Sequence, residues 1–231
     1  MKLFFVAAVT LLCVTGKAQS RYNANLLDTL QEIAESNTPA KYFAQLYYKA
    51  IEKTNSYAVD QSDDVKAFIF GFESKFAPTF FQSYRNYLEH QPQVFPWQQY
   101  YADTSLNAMQ YQFIGMNAHI NGDMWMALKD KYGYDTLQKY SHSLIDFQKA
   151  LNVFFDSVYH AGMENRNIKR LHQFSFGTDK IIGKRIVLHW RKRQAKMAML
   201  FYSDPKKARR KLKHLKKRMQ YYDRLALNWV R

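Results

Sequence analysis

Four side chains with ligating and acid–base capacity stand out by their spacing. His119 and Asp123 are four residues apart, and His142 and Asp146 repeat the interval further along. Residues four apart share a helix face, so each His–Asp pair can point at one ion or one water. An imidazole and a carboxylate from each of two adjacent helices would suit Zn²⁺ or a related divalent ion in a bundle core. Such an ion lowers the pKa of its bound water toward ~7 and so supplies hydroxide at neutral pH, the chemistry of a metal-dependent hydrolase acting on a phosphoester or similar substrate. The plainer alternative is that each pair is a local hydrogen bond in which the carboxylate orients the ring. Asn117 and Asn121 form a second four-apart pair beside the first, placed to orient a substrate.

The first pair lies in the stretch Tyr111 to Leu128, YQFIGMNAHINGDMWMAL, which is apolar enough to be a buried helix. Gly115 and Gly122 occupy positions where a helix favours alanine by ~1 kcal/mol each, and a closely approaching neighbour or ligand would account for them. A turn at Gly133 leads into Asp135 to Tyr159, apolar at Leu137, Tyr140, Leu144, Phe147, Leu151, Phe154 and Val158 in alternating steps of three and four, the spacing of a helix. If these two helices form an antiparallel hairpin, His142 and Asp123 stand at similar depth from the turn, at ~1.5 Å per residue.

The rest of the chain has helical spacing too. Leu26, Leu30 and Ile33 open it, and Thr38-Pro39 is a start signal for a helix presenting Phe43, Leu46, Tyr47, Ala50 and Ile51. The next face includes Phe68, Phe72 and Phe76, with Pro78 expected to kink or break it before Phe80 to Leu88. Pro96-Trp97 begins a new element, and the chain breaks near Asp103 and Thr104. Gly162 to Gly177 reads as a loop with one short helix, and Asp179 to Tyr202 is helical again, ending at Ser203-Asp204-Pro205. Period-two runs are hard to find, which gives a fold class of all-α: one multi-helix, bundle-like domain over 19–205 with a helix over 206–231 packed on or extending it.

Composition limits the chemistry. Cys13 is the sole cysteine and falls in an apolar run, Leu3 to Val14, that follows Lys2 and precedes the small residues Gly16 and Ala18. That layout predicts a signal peptide over 1–18, cleaved after Ala18, and hence an exported, periplasmic or extracellular protein. The mature chain would then carry no thiol and no disulfide, leaving its stability to a core drawn from 47% apolar and 16% aromatic residues. Residues 184–231 hold 17 Lys or Arg against Asp204 and Asp223, so this stretch carries the entire net charge of +15. Within it, Arg185 and Arg193 could reach into the bundle to bind a carboxylate or phosphate. Ala208, Leu212, Leu215, Met219, Tyr222, Ala226 and Trp229 form a narrow seam. The lysines and arginines around the seam are either a solvated face or an adhesive one for an anionic lipid or envelope surface, with nucleic acid the less favoured partner in an exported protein. There is no Gly-x-Ser-x-Gly, no Gly-rich phosphate loop and no dinucleotide fingerprint.

The residues GMNAHINGD, preceded by Gln112, resemble the signature of the bacterial domain of unknown function 5995 family, which reads roughly Gly-Met-Asn-Ala-His-Ile-Asn-x-Asp-Leu, with Met124 here in place of the leucine. The resemblance extends to FESKFAPTFFQSYRNYL, to Pro96-Trp97, and to Asp146-Phe147 with Asn152. It implies that Asn117, His119, Asn121, Asp123, Asp146 and Asn152 form the family's polar centre; it implies no activity. The chain is also faintly similar to zinc-dependent phospholipases C and single-strand nucleases, all-helical exported enzymes with His-x-x-x-Asp on one core helix and His-x-x-x-Glu on a later one. His119 with Asp123 would match the first and His142 with Asp146 the second. No histidine follows shortly after Asp123, which speaks against the three-metal site of those enzymes. A non-enzymatic envelope protein, held to an anionic surface by its basic C-terminal helix, is the competing class.

Overall fold

A computed structural model describes residues 24–162, 169–170 and 178–229. The signal peptide expected over 1–18, and most of the loop expected after Gly162, lie outside them. Among the described residues the main helices, with one π-helical turn, follow in the order α1 (24–35), α2 (Ala40–Val59), α3 (Asp63–Leu88), α4 (Gln98–Ala102), α5 (Ala108–Ala118), the π turn (His119–Asp123), α6 (Met124–Lys131), α7 (Tyr134–Gly162), α8 (Thr178–Ser203) and α9 (Pro205–Trp229). Among the described residues there is no strand.

The apolar stretch that carries His119 becomes the rod α5–π–α6, around which the others pack. A reciprocal cap starts it: the Gln110 N–H donates to Asn107 Oδ1 at 3.0 Å and the Asn107 N–H donates to Gln110 Oε1 at 2.9 Å. Its first half, with Tyr111, Ile114 and Ala118, enters an aromatic core of Phe43, Phe80, Trp97 and Tyr100. Its second half, with Met124, Ala127 and Leu128, enters another core with Phe68, Phe72, Leu137, Leu144 and Ala198. The π turn sits where the two cores meet. A π turn inside an α-helix costs hydrogen-bond geometry and is frequent at functional sites.

Both glycines of the rod are explained by close approach. A Cβ on Gly115 would stand 2.5 Å from Cδ2 of Phe43, and one on Gly122 would stand 2.5 Å from Cβ and Cγ of Pro96 and 2.8 Å from Cε of Met219. The helix-propensity loss therefore secures contact with α2 on one side, and with the loop before α4 and with α9 on the other.

Two expectations change. Helix α3 runs unbroken through Pro78, because the proline is on the exposed side, where the Ser74 carbonyl it deprives of a partner can be hydrated while Phe72, Phe76, Ala77 and Phe80 stay buried opposite. The hairpin through Gly133 does not bring α7 alongside the rod as imagined. Helix α7 packs mainly on α8 and α2, and α6 mainly on α8 and α3.

Helix α9 buries Ala208, Leu215, Met219 and Ala226 against α5 and α8, with Leu212 and Tyr222 half-buried. The close fit at the π turn predicts that Gly122→Ala lowers stability by about 1–3 kcal/mol, overcoming the helix propensity that alanine adds, because the proline ring cannot give way as a methionine end can. Chemical denaturation with an unchanged or raised midpoint would show that contact to be looser than described.

Candidate functional site

The polar residues of the rod separate into two sets that face different neighbours. His119 is 2% exposed, and its ring stacks on Phe76 with centroids 3.5 Å apart and meets Tyr47 at 4.7 Å and Phe43 at 5.5 Å. Its Nδ1 lies 3.5 Å from Asp123 Oδ2, too long and too far off line for a good hydrogen bond. The same carboxylate oxygen accepts the Trp97 Nε1–H at 2.7 Å, so Trp97 is its close donor. Burial lowers the His119 pKa from its ordinary value against the opposing pull of Asp123, which favours a neutral ring at neutral pH. Neither ring nitrogen has a hydrogen-bond partner among the described residues.

Asn117 and Asn121 face the other way. The Asn117 amide donates to the Met219 carbonyl at 2.9 Å and to Asp223 Oδ1 at 2.8 Å, and Asn121 donates to Asn117 Oδ1 at 2.9 Å. Arg193 Nη2 donates to Asn121 Oδ1 at 2.5 Å, and Gln194 donates to the Asn121 carbonyl at 2.6 Å. These contacts fasten α8 and α9 to the rod. The two asparagines are thus occupied by the protein itself.

The second His–Asp pair does not join the first. His142 and Asp146 are exposed on α7, and Asp146 Oδ1 pairs with Lys149 Nζ at 2.8 Å. The physical reason is periodicity: Leu137, Leu144, Phe147 and Leu151 occupy the inward stripe, and positions 142 and 146 fall about 200° from residue 144 at ~100° per residue. Among the described residues no group of three or more His, Cys, Asp or Glu is arranged to hold a metal ion. Of the four expected ligands only His119 and Asp123 are buried, with Asp123 already accepting from Trp97, and those two do not make up a zinc donor set. Asn152 is half-buried and accepts from Gln148 at 3.3 Å. Arg185 is exposed, whereas Arg193 does reach inward, to an asparagine.

What His119 does face is a cavity of about 80 Å³ lined by residues of α2, α3, the rod, α7 and α8. Its walls are mostly apolar, with Phe43, Ile51, Phe76 and Phe147 among them, but Glu73, Arg191, Gln148 and Tyr47 also line it. Glu73 is 3% exposed and accepts the Tyr47 hydroxyl at 2.9 Å. Burial pushes its pKa up to about 7, although the Tyr47 bond and the Arg191 charge both pull it down. Arg191, also 3% exposed, donates through Nε to Gln148 Oε1 at 2.8 Å and lies over the Phe147 ring at 4.9 Å. Burial lowers its pKa to about 10 against the pull of Glu73, so the guanidinium stays charged at neutral pH. Its Nη1 has no partner among the described residues.

The sequence held a signal for both. Glu73 stands four residues after Ile69 and four before Ala77, and Arg191 stands four after Val187 and four before Ala195, each inside a buried stripe. An acid within an aromatic helix face is visible in that way. Arg191 is masked by its basic neighbours Lys192 and Arg193.

Glu73 makes stability depend on pH. Its native pKa lies above the unfolded value of 4.5, so its contribution is full below that pH and is lost as pH rises through about 7. Asp223, raised to about 6 by burial, acts in the same direction, whereas His119, lowered from 6.5, contributes most above that pH and less below it. Comparing Glu73→Gln with wild type isolates the first effect. The variant should gain on the wild type by on the order of 3 kcal/mol between pH 4.5 and 7, at ~1.4 kcal/mol per pKa unit; a gap that does not change with pH would mean that Glu73 ionises normally.

No curated protein and no solved structure matches the chain. One family model does, over residues 23–228, under the description "Family of unknown function (DUF5995)". The match runs from α1 to the end of α9 and takes in the rod, its two glycines and the cavity walls: the chain belongs to the DUF5995 family.

Proposed function

We propose that the cavity beside His119 binds a small, largely apolar molecule carrying one carboxylate, with Arg191 as its anchor and Glu73 as the group that exchanges a proton when it binds. The observation that carries this reading is the buried guanidinium whose Nη1 has no partner among the described residues, on the wall of a mostly apolar cavity. A buried charged donor left without an acceptor costs more than ~1–3 kcal/mol, and a ligand oxygen placed there would offset it. The aromatic and aliphatic walls would take up the remainder of the molecule.

Charge balance explains the proton. One buried guanidinium is neutralised by one carboxylate. When the ligand arrives as an anion, Glu73 takes up a proton from solution and the cavity keeps a single negative charge. When the ligand leaves, Glu73 releases that proton. A neutral His119 beside the same space offers a ring nitrogen as acceptor for a ligand hydroxyl or amide. Metal-activated hydrolysis of a phosphoester is not proposed, because His142 and Asp146, on which that donor set depended, stand exposed on another face.

Calorimetric titration with benzoate, using toluene as the uncharged control, tests the reading. Benzoate should bind the wild type and raise its unfolding temperature, with affinity falling as pH rises through about 7. Arg191→Met should lose benzoate binding. In Glu73→Gln benzoate should bind at least as well, and without that pH dependence. Equal binding of toluene and benzoate, or benzoate binding that survives Arg191→Met, would rule out the arginine anchor.

A further inference from the structure

The cationic end of the chain is built as a display, and its design is independent of the cavity. Every Lys and Arg from Lys206 to Arg218 is exposed, and among the described residues no ion pair involves a Lys or Arg of α9. The positive field continues onto α8: His189 is lowered by its burial and by Arg193, Arg218, Lys192 and Lys196, and Arg193 is lowered by burial and by Arg218. Like charges so close destabilise the free protein, and an anionic partner would relieve the repulsion.

The form of the helix says what sort of partner. Its apolar seam is used up in packing, with Ala208, Leu215 and Met219 buried against the domain, so α9 cannot insert into a bilayer as a free amphipathic helix does. It is also held at fixed pitch by the Asn117–Asp223 bond and by the Met219 carbonyl. What remains is a row of exposed charges with no Phe, Tyr or Trp between Lys206 and Gln220. Single-stranded nucleic acid is gripped by grooves in which successive bases stack on aromatics, whereas here Phe95 is covered by Lys216 at 4.8 Å and Tyr221 stands at the end of the row. A broad anionic plane needs only a row of solvated cations, each worth enough near the surface for a few of them to hold a protein there. The exposed Tyr221 at the end of the row suits the headgroup layer, and the export signal expected over 1–18 would bring the face opposite envelope lipid.

We infer that the joint surface of α8 and α9 holds the protein on anionic phospholipid, by adsorption at the headgroups without insertion. Sedimentation with phosphatidylglycerol–phosphatidylcholine vesicles tests this on the full chain. Binding should be strong at low salt, collapse at high salt, and be absent on phosphatidylcholine alone. Lys192→Glu, Lys196→Glu and Arg218→Glu together, all at exposed positions outside the seam, should weaken it by at least about 100-fold. Lys49→Glu with Lys53→Glu on α2 should leave it unchanged, which also separates loss of the surface from loss of the fold. Salt-resistant binding, equal binding to neutral vesicles, an effect of the α2 variant as large as that of the triple variant, or preference for a DNA duplex over the vesicles would each overturn the inference.

Discussion

A guanidinium buried to 3% exposure sets the terms for the interior of this protein. Removing such a charge from water costs several kcal/mol even after relaxation, so it must be met by a counter-charge, by hydrogen bonds and by a polarisable wall. Glu73, Gln148 and the face of Phe147 supply these from α3 and α7. Helices distant in sequence are thereby fixed around one point. Because Arg191 stays charged while Glu73 stands near its titration midpoint, the interior is poised between one and no negative charge at neutral pH. That balance is a property of the cavity and would be lost if either group were moved to the surface.

The rod α5–π–α6 lets this interior coexist with a basic exterior. Its π turn directs His119 and Asp123 toward Tyr47, Phe76 and Trp97, while Asn117 and Asn121 turn to α8 and α9. One motif thus does two jobs. Its histidine and aspartate belong to the buried aromatic side, and its asparagines are the fastening for the cationic helix. The glycines at 115 and 122 allow the neighbouring elements to come close enough for both.

Much of the fold was legible because it rests on spacing. The all-α class, the helix beginning near Thr38-Pro39, the central apolar rod, the long α7 and the seam of α9 follow from apolar residues at steps of three and four. The burial of the rod's polar residues was legible too, from their place in an apolar stretch with two glycines. The membership of the site was not. His142 and Asp146 matched the first pair by interval alone, although the stripe of Leu144, Phe147 and Leu151 already turned them outward. The missing partners, Glu73 and Arg191, come from helices whose contact is decided by tertiary packing, and a lone acid or base without a four-apart partner carries no pairing signal. Pro78 does not break its helix for a related reason: the side on which it falls, and not its presence alone, decides that outcome.

The cavity's charge turns on the protonation of Glu73, and observing its side-chain carboxyl directly is the most pointed measurement. A ¹³C titration of the labelled Glu73 carboxyl in the folded protein should show a midpoint near 7, set by burial against the pull of Tyr47 and Arg191. A midpoint at the ordinary value of 4.5 would contradict the account, since the cavity would then hold a fixed ion pair with no proton to exchange.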